Sequence, residues 1–330
     1  MIAQIHSVPV TLRQLHEPSL FDPIGLLEAT RERLLQGGDV TLTIDILSDG
    51  LWWMRNALPA ERWRDLINVA RAHPLIGLLH ESPLLRRAFV KPRGLVGDAP
   101  LFDMVYGGLA PDEAQQASPL GLSIMDRDTN APWAVAMRER RDFLAALIDH
   151  VADCDPMPYI LAASCGHLRE GHVSRALQQG AIGRFVALDA DAETVAVVAR
   201  DFAGKGVEPM NRNLTSLMDR TFPAASFDAI YAAGPYDNLP DRFARDLTRA
   251  IFDLLKPGGR LVISNVVQDS YDAGYLEAFG DWFMVYRSAA EVMDLAAHIQ
   301  PHEISLKRVY TRLSPEIFYL EVRKRVGPSS

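Results

Sequence analysis

One stretch, residues 159–190, constrains the fold of this 330-residue chain more than any other. It begins with a short apolar run, Tyr159–Ala163, and ends with a second one, residues 185–188, followed by Asp189. A turn of small residues and a segment with apolar side chains at helical spacing lie between them. Buried parallel strands are continuously apolar in this way. The order strand, turn, helix, strand, acid predicts a nucleotide-binding βαβ unit, in which the acid accepts hydrogen bonds from ribose hydroxyls.

Composition excludes several classes of protein. The net charge of −8 argues against nucleic acid as the main partner, because phosphate binding needs a basic surface. No apolar run reaches the ~20 residues of a membrane helix. Residues 1–10 lack the basic segment and apolar core of a signal peptide. Cys154 and Cys165 are too few for a disulfide framework. We therefore expect a cytoplasmic protein without a membrane span.

The first 152 residues have a helical pattern. Helices are predicted at residues 24–36, 40–57, 61–72 and 134–151. An irregular polar loop, residues 91–99, interrupts the pattern, and binding residues often collect on such loops. Two prolines and two aspartates in residues 153–158 end the last helix. We predict an all-α N-terminal domain over residues 1–152, which would cover the acceptor site and is the candidate for a homodimer contact, and a second domain over residues 153–330.

The second domain alternates strands with helices. After the βαβ unit, strands are predicted at residues 207–210, 226–232 and 260–264. Asp191 is a good N-cap for a helix over residues 192–203, and Ser288 with Glu291 forms a capping box. Two final runs, residues 304–310 and 317–322, are joined by too few residues for a parallel crossover and should form an antiparallel hairpin. The predicted fold class is α/β, a doubly wound Rossmann-like sheet that ends in a hairpin.

The turn after the first strand indicates which ligand this sheet binds. A dinucleotide enzyme would carry G-x-G-x-x-G there, and a phosphate loop would carry G-x-x-x-x-G-K-[ST]; both motifs are missing. In a doubly wound sheet the ligand lies over the carboxyl ends of the strands, at the point where strand order reverses. A turn with one glycine, Gly166, and no lysine suits a sulfonium nucleoside rather than a pyrophosphate. The combination favours S-adenosylmethionine.

A family resemblance rests on motifs spread over residues 60–322. They are Lys91-Pro92-Arg93-Gly94, Gly97-Asp98-Ala99, Tyr106-Gly107, Ser118-Pro119-Leu120-Gly121, Arg138-Glu139-Arg140-Arg141, Cys165-Gly166, Arg169-Glu170, residues 227–234, residues 236–241, Asp281-Trp282 and Tyr286-Arg287. On these motifs the chain resembles class I S-adenosylmethionine-dependent methyltransferases and, more narrowly, the extracellular-factor 3-hydroxypalmitic acid methyl ester biosynthesis proteins. In the first loop, Ser164 replaces a glycine of that family and His167 replaces a proline.

The resemblance implies S-adenosylmethionine as the cofactor and a small-molecule acceptor as the partner. Candidate cofactor residues lie at the strand ends: Ser164, Cys165 and Gly166 at the methionine part, Asp189 at the ribose with Ala190 beside it, Asn213 and Leu214 at the adenine, and Ala233 and Gly234 after the fourth strand.

The leading hypothesis is methylation of a carboxylate on a small or lipid-like molecule, giving a methyl ester. An ionised carboxylate is already a nucleophile, so the enzyme mainly positions it, and an arginine would hold it by a bidentate contact. Arg93 and Arg287 are the candidates, with Arg169 behind them. Aromatic residues could wall the acceptor pocket: Trp282, Tyr286, Tyr106 and Tyr236, the last also a catalytic candidate.

Two alternatives stay open. A hydroxyl or amine acceptor would need a base, for which His167 is the candidate. A non-catalytic binding protein could also keep this fold. We expect no metal, because Pro301 breaks the helix that would align His298 with His302.

Overall fold

The computed structural model describes residues 22–219 and 221–326, apart from the side chains of residues 111–113. The helices are α1 Pro23–Leu35, α2 Val40–Ala57, α3 Ala60–Ala72, α4 Leu75–Leu79, α5 Pro83–Val90, α6 Ala99–Gly107, α7 Pro111–Gln116, α8 Pro119–Asn130, α9 Pro132–Cys154, α10 Arg169–Val173, α11 Arg175–Gln178, α12 Ala192–Asp201, α13 Asp241–Asp253, α14 Ala273–Phe279 and α15 Ala289–Asp294. The strands are β1 Tyr159–Ala163, β2 Arg184–Asp189, β3 Val207–Asn211, β4 Phe227–Ala233, β5 Leu255–Val266, β6 Ile304–Tyr310 and β7 Ile317–Lys324. Residues 1–10, used above to argue against a signal peptide, lie outside the described residues.

The chain divides into two compact units. The first comprises Met1–Phe89, Ala117–Arg127 and Tyr271–Asp281. The second comprises Val90–Gln116, Asp128–Ser270 and Trp282–Ser330. This division differs from the expected division at residue 152, since α6 and α9 belong to the unit that contains the sheet. None of the described helices combines the length and the hydropathy that a membrane crossing requires.

The first unit is helical, and α14 completes its core. Apolar residues of α1 and α2, such as Leu27 and Leu47, are buried. α14 packs on α2 and α3, although about 200 residues separate it from them in the chain. Its Glu277 accepts a hydrogen bond from the Trp63 indole at 2.7 Å and pairs with Arg55 at 2.9 Å. Tertiary contacts therefore make α14 part of the first unit, although in the sequence it lies between segments of the second unit.

The second unit contains a seven-stranded sheet in the order β3-β2-β1-β4-β5-β7-β6. The first five strands are parallel, and β7 pairs antiparallel with both β5 and β6. β1 lies at the centre, with Ile160 opposite Phe185 of β2 and Ala229 of β4. The strand order reverses between β1 and β4, which is where a doubly wound sheet binds its ligand. The predicted fold class is confirmed.

Local sequence signals place several element ends correctly. The Asp191 carboxylate caps α12, and the Ser288–Glu291 capping box forms at α15. β5 is longer than predicted, because a bulge opposite Phe227 and Ala229 lets the chain from Leu255 join the sheet before Arg260. Short helices, among them α4, α5 and α6, were not predicted. Their apolar patterns are too short to distinguish from loops by periodicity.

The closing hairpin is held by a buried acid, Glu321 of β7. Its side chain is fully buried, and it accepts hydrogen bonds from Arg308 at 2.6 Å and Arg323 at 3.1 Å. Arg260 of β5 lies 2.8 Å from the same carboxylate. Burial alone would raise the pKa of Glu321, but these three arginines lower it. Glu321 is therefore ionised in the folded protein and connects β5, β6 and β7.

We expect Glu321→Gln to lower the free energy of unfolding by about 2 kcal/mol, because it leaves the surrounding arginine charges without their partner. The stability that ionised Glu321 contributes is fully present above the pKa of a glutamate in the unfolded chain. It is lost as the pH falls through the lowered pKa of Glu321 in the folded protein. Urea unfolding of both proteins at neutral and acidic pH measures this. Glu208→Gln, which breaks a half-exposed pair with Arg184, is the control and should cost under ~1 kcal/mol. Equal losses in the two variants would contradict the assignment.

Candidate active site

A cavity of about 380 Å³ lies at the carboxyl ends of β1 and β4, within the second unit. Its walls are the loop at residues 93–99, parts of α6 and α9, the turn after β1, the end of β2 and the turn after β4. Small-molecule sites typically enclose ~300–1,000 Å³. The cavity therefore occupies the expected ligand position of the sheet.

The turn after β1 is built from left-handed residues. Ser164, Gly166 and Leu168 have φ values of 64°, 52° and 51°. The Cys165 amide donates to the Leu188 carbonyl of β2 at 3.0 Å, which fixes the turn to the neighbouring strand. A Cβ at Gly166 would have only the Ala99 methyl near it, at 3.8 Å. The backbone at Gly166 is thus open on its cavity side and can be approached by a ligand.

Asp189 ends β2 and faces the same cavity. Its two carboxylate oxygens accept backbone hydrogen bonds, from Gly166 at 2.9 Å and from Asp191 at 3.0 Å. Burial raises its pKa against the effect of these bonds. Each carboxylate oxygen has two lone pairs, so Asp189 can still accept hydrogen bonds from a ligand diol.

Two of the predicted cofactor residues, Asn213 and Ala190, do not line the cavity. Leu214, the candidate for the adenine end, does line it. Asn213 is exposed and does not line the cavity, because its side chain accepts hydrogen bonds from Thr215 and Ser216 of the following turn. Ala190 is also exposed, and its carbonyl accepts from the Asn211 side chain at 2.9 Å. The remaining candidates line the cavity: Ser164, Cys165, Gly166, Asp189, Ala233 and Gly234.

The loop at residues 93–99 is attached at two points. Arg93 pairs with Asp191 at 2.9 Å and with Glu193 at 2.9 Å, at the start of α12. Gly97, with φ of 68°, lies against the Trp282 indole, so that a Cβ there would come within 2.8 Å of a ring carbon. Arg93 lines the cavity as predicted, but its guanidinium is already shared by two carboxylates. It is therefore a loop anchor rather than a free binding group.

Arg287 and Tyr236 were predicted as catalytic residues and lie outside the cavity wall. Arg287 is 1% exposed and donates to the carbonyls of Tyr236 and Leu239 and to the Asp241 carboxylate. The Tyr236 hydroxyl pairs with Thr248 at 2.8 Å within the core. Both side chains serve the packing of the turn after β4. Neither side chain is brought to the cavity, because a distinctive motif is equally compatible with a structural role.

His167 lines the cavity and is fixed by an acid that the sequence did not reveal. Its Nδ1 lies 2.7 Å from Asp103 of α6, and Arg169 makes a bidentate contact to the same carboxylate at 2.6 and 2.7 Å. These partners lower the pKa of Asp103 to about 2, although burial alone would raise it. The other ring nitrogen, Nε2, is buried and has no hydrogen-bond partner among the described residues. Arg169 is thus committed to Asp103, and neither nitrogen of His167 is open to the cavity.

Arg140 of α9 is, after Asp103, a second charged cavity residue that sequence reasoning missed. It is 5% exposed, lines the cavity, and stacks 5.6 Å from the Phe102 ring centroid. A Cβ built on Gly234 would lie 3.6 Å from its Nη1, so the guanidinium lies beside the exit of β4. No carboxylate of the described residues forms an ion pair with it. The available signal was helical spacing. Arg140 follows Met137 by three positions, so both side chains lie on the same face of α9, and both line the cavity.

Two buried acids accompany Arg140. Glu170 accepts a hydrogen bond from the Tyr231 hydroxyl at 2.6 Å, and burial raises its pKa. Asp237 accepts from the Val266 amide at 2.7 Å, and burial raises its pKa to about 6. Both residues line the cavity.

Aromatic and apolar side chains form the rest of the wall. Trp282 packs edge-on against Phe102 and Trp133, with ring centroids 6.1 and 5.5 Å apart. Of the aromatic candidates for the acceptor pocket, Trp282 and Tyr106 line the cavity, whereas Tyr286 does not. The residues present fit S-adenosylmethionine: open backbone at Gly166, a diol acceptor at Asp189, and an apolar surface at Leu214.

Comparison with known proteins gives a family match over part of the chain and similar solved structures. Residues 160–259 match the methyltransferase domain family. A comparison with curated protein sequences gives no match. Among solved structures, a possible exported protein from Bordetella parapertussis shares 18% identity over 94% of this chain and 100% of its own, with a TM-score of 0.60. Magnesium protoporphyrin IX methyltransferase from Synechocystis shares 14% identity over 68% of this chain and 92% of its own, with a TM-score of 0.46.

Fold and domain match together define the class. The chain is an S-adenosylmethionine-dependent methyltransferase with the class I Rossmann-like fold.

The left-handed backbone of Ser164 gives a stability prediction. Ser164→Gly should raise the free energy of unfolding by about 0.5–1 kcal/mol, because releasing ~1–2 kcal/mol of left-handed strain exceeds the entropic cost of a glycine. Ser164→Ala keeps the Cβ and should give no such gain. Urea titration of the three proteins measures the difference. A destabilised Ser164→Gly would show that the serine side chain, rather than the backbone, matters here.

The contact between Gly97 and Trp282 can be tested with a matched pair. Gly94→Ala adds a Cβ at a φ of 74° with no atom within 4 Å, whereas Gly97→Ala adds one at a φ of 68° against the indole. Gly94→Ala should lose roughly 1 kcal/mol of stability through left-handed strain, and Gly97→Ala should lose more, because its Cβ also displaces the indole. Only Gly97→Ala should displace the cavity loop and weaken S-adenosylhomocysteine binding at least tenfold, measured by calorimetry. Equal affinities in the two variants would contradict a role for this contact in the site.

Proposed function

We propose that the protein methylates a carboxylate of a small or lipid-like organic acid and so forms a methyl ester. The observation that supports this proposal best is Arg140, a buried guanidinium in the cavity wall with which no carboxylate of the described residues forms an ion pair. Arg140 has the Tyr106 hydroxyl as a hydrogen-bond partner, but a buried guanidinium without a paired carboxylate is costly, so a ligand that supplies a carboxylate would be favoured. Arg140 takes the role that the sequence assigned to Arg93 and Arg287.

Recognition of the acid would combine charge and shape. The planar guanidinium of Arg140 can hold a carboxylate by two parallel hydrogen bonds. Burial alone would lower its pKa, but Tyr106 and Asp237, which face it, raise the pKa, so the arginine stays charged. Phe102 stacks on the guanidinium and restricts its orientation. The apolar side chains of Met137, Trp282 and Met284 would accept the carbon skeleton of the acid.

Catalysis then needs positioning more than proton transfer. S-adenosylmethionine, when bound, supplies a methyl group on a sulfonium that is open to displacement. Holding the nucleophile in line can contribute ~7–11 kcal/mol to lowering the barrier. Arg140 would orient one face of the carboxylate, and Trp282 and Phe102 would exclude water from it. Ser164 and Gly166 would bind the methionine part, and Asp189 the ribose.

One observation favours a second candidate, a hydroxyl or amine acceptor. Asp103 lies 2.7 Å from Nδ1 of His167 and would fix the tautomer in which Nε2 is free to act as a base. Because Nε2 is buried, the His167 ring would first have to rotate, or the residues that bury Nε2 would have to move, before it could reach an acceptor. The carboxylate acceptor needs no such rearrangement and is therefore preferred.

The two candidates respond differently to substitution. Arg140→Met should raise KM for carboxylic acids about 100-fold, equivalent to about 3 kcal/mol for a lost buried ionic contact. It should change the Kd of S-adenosylhomocysteine less than threefold. Arg140→Lys keeps the positive charge but not the planar guanidinium that makes two parallel hydrogen bonds. Its KM should therefore lie between those of the wild-type protein and Arg140→Met. Methyl-ester detection across a panel of acids and calorimetry measure these quantities.

His167→Gln provides the opposing experiment. On the carboxylate proposal its kcat changes little and shows no new pH dependence between pH 6 and 9. Methylation of hydroxyl or amine compounds that His167→Gln abolishes, with no methyl ester formed from any acid, would overturn the proposal. Loss of S-adenosylhomocysteine binding in Arg140→Met would also overturn it, since Arg140 would then belong to the cofactor.

A further inference from the structure

Glu170 is a buried acid in the cavity wall that the proposed reaction does not use. It lies in the first turn of α10, directly after the left-handed turn that follows β1. The residue is 8% exposed and lines the cavity. A carboxylate in such a place is costly unless a cation or several donors compensate for its lost hydration.

Its surroundings orient the carboxylate but leave it without an ion-paired cation. The Tyr231 hydroxyl donates to Oε1 at 2.6 Å. Tyr106 and Cys165 also face it and are neutral groups whose own pKa values are raised. Arg140 and Arg141 of α9 act on it at longer range, and within the described part of the chain no ion pair with Glu170 is formed. Glu170 and the neutral groups around it can therefore bind a small cation.

Sheet topology places Asp189 and the hydrogen-bond partner of Glu170 on opposite sides of β1. Asp189 ends β2, whereas Tyr231, the partner of Glu170, belongs to β4. β2 and β4 flank β1 on opposite sides. A ligand whose ribose is bound at Asp189 and which crosses the turn after β1 therefore extends toward Glu170. The cofactor of this class carries an α-ammonium at the end remote from its base.

We infer that Glu170 accepts the α-ammonium of the cofactor's methionine end, and that Tyr231 holds the carboxylate in the orientation this contact needs. The inference depends on the cofactor and not on the identity of the methyl acceptor. Glu170 is then a specificity residue, which separates the intact cofactor from nucleosides that lack the amino group.

The test compares S-adenosylhomocysteine with its analogue in which hydrogen replaces the α-amino group, by calorimetry and without any acceptor. The wild-type protein should prefer S-adenosylhomocysteine at least tenfold. Glu170→Gln, which keeps the shape, should reduce this preference to about twofold or less. Asp189→Ala is the matched control, which should weaken both ligands and keep the preference. Tyr231→Phe should reduce the preference partially, about threefold.

Three results would overturn the inference. Glu170→Gln could retain the wild-type preference for the amino group, which would make Glu170 a structural partner of Tyr231. Its affinity for S-adenosylmethionine could fall while that for S-adenosylhomocysteine is unchanged, which would place the acid at the sulfonium. The wild-type protein could bind S-adenosylhomocysteine and its analogue without the amino group equally. This measurement needs no variant, so it tests the inference even if Glu170→Gln does not fold. None of these measurements involves an acceptor, so they are independent of the carboxylate proposal.

Discussion

The parallel pairing of β1 with β2 on one side and β4 on the other is the constraint on which the site depends. It brings three strand ends to one edge and forces the chain to leave β1 in a tight left-handed turn. The hydrogen bond from the Gly166 amide to Asp189 then fixes this turn against the neighbouring strand. Since the turn supplies both backbone and side-chain groups to the cavity, the position of every other site group is defined relative to this bond.

Around this centre the charges are divided by function. Some ion pairs hold elements in place: Arg93 with Asp191, Arg169 with Asp103, and Arg287 with Asp241. Their charges are neutralised by protein groups, so they offer little to a ligand. Arg140 and Glu170 are buried, and neither forms an ion pair with the described residues, which is why we propose that they compensate charges of a ligand. On this proposal, pairing within the protein, more than residue type, distinguishes binding groups from structural ones.

Sequence reasoning succeeded where the determining chemistry is local. The run of small and apolar residues in β1, the acid at the end of β2 and the cap at Asp191 all act within a few positions of the chain. It says less about side chains whose partners are remote in the chain. Arg287 was assigned to catalysis because its motif is distinctive, yet its side chain is directed to the Tyr236 carbonyl 51 positions away. Asp103 was missed because only α6 packing brings it to His167.

The composition of the helical unit has a consequence for the order of folding. Its segments are separated in the chain, and Tyr271–Asp281 is the last of them. Until α14 has been synthesised, Trp63 and Arg55 lack the carboxylate of Glu277, and the apolar surface that α14 covers stays exposed to solvent. On the ribosome this unit therefore cannot be completed until most of the chain has been synthesised, whereas β1 to β4 can already pair. The part of the protein nearest the N-terminus is thus among the last to reach its native packing.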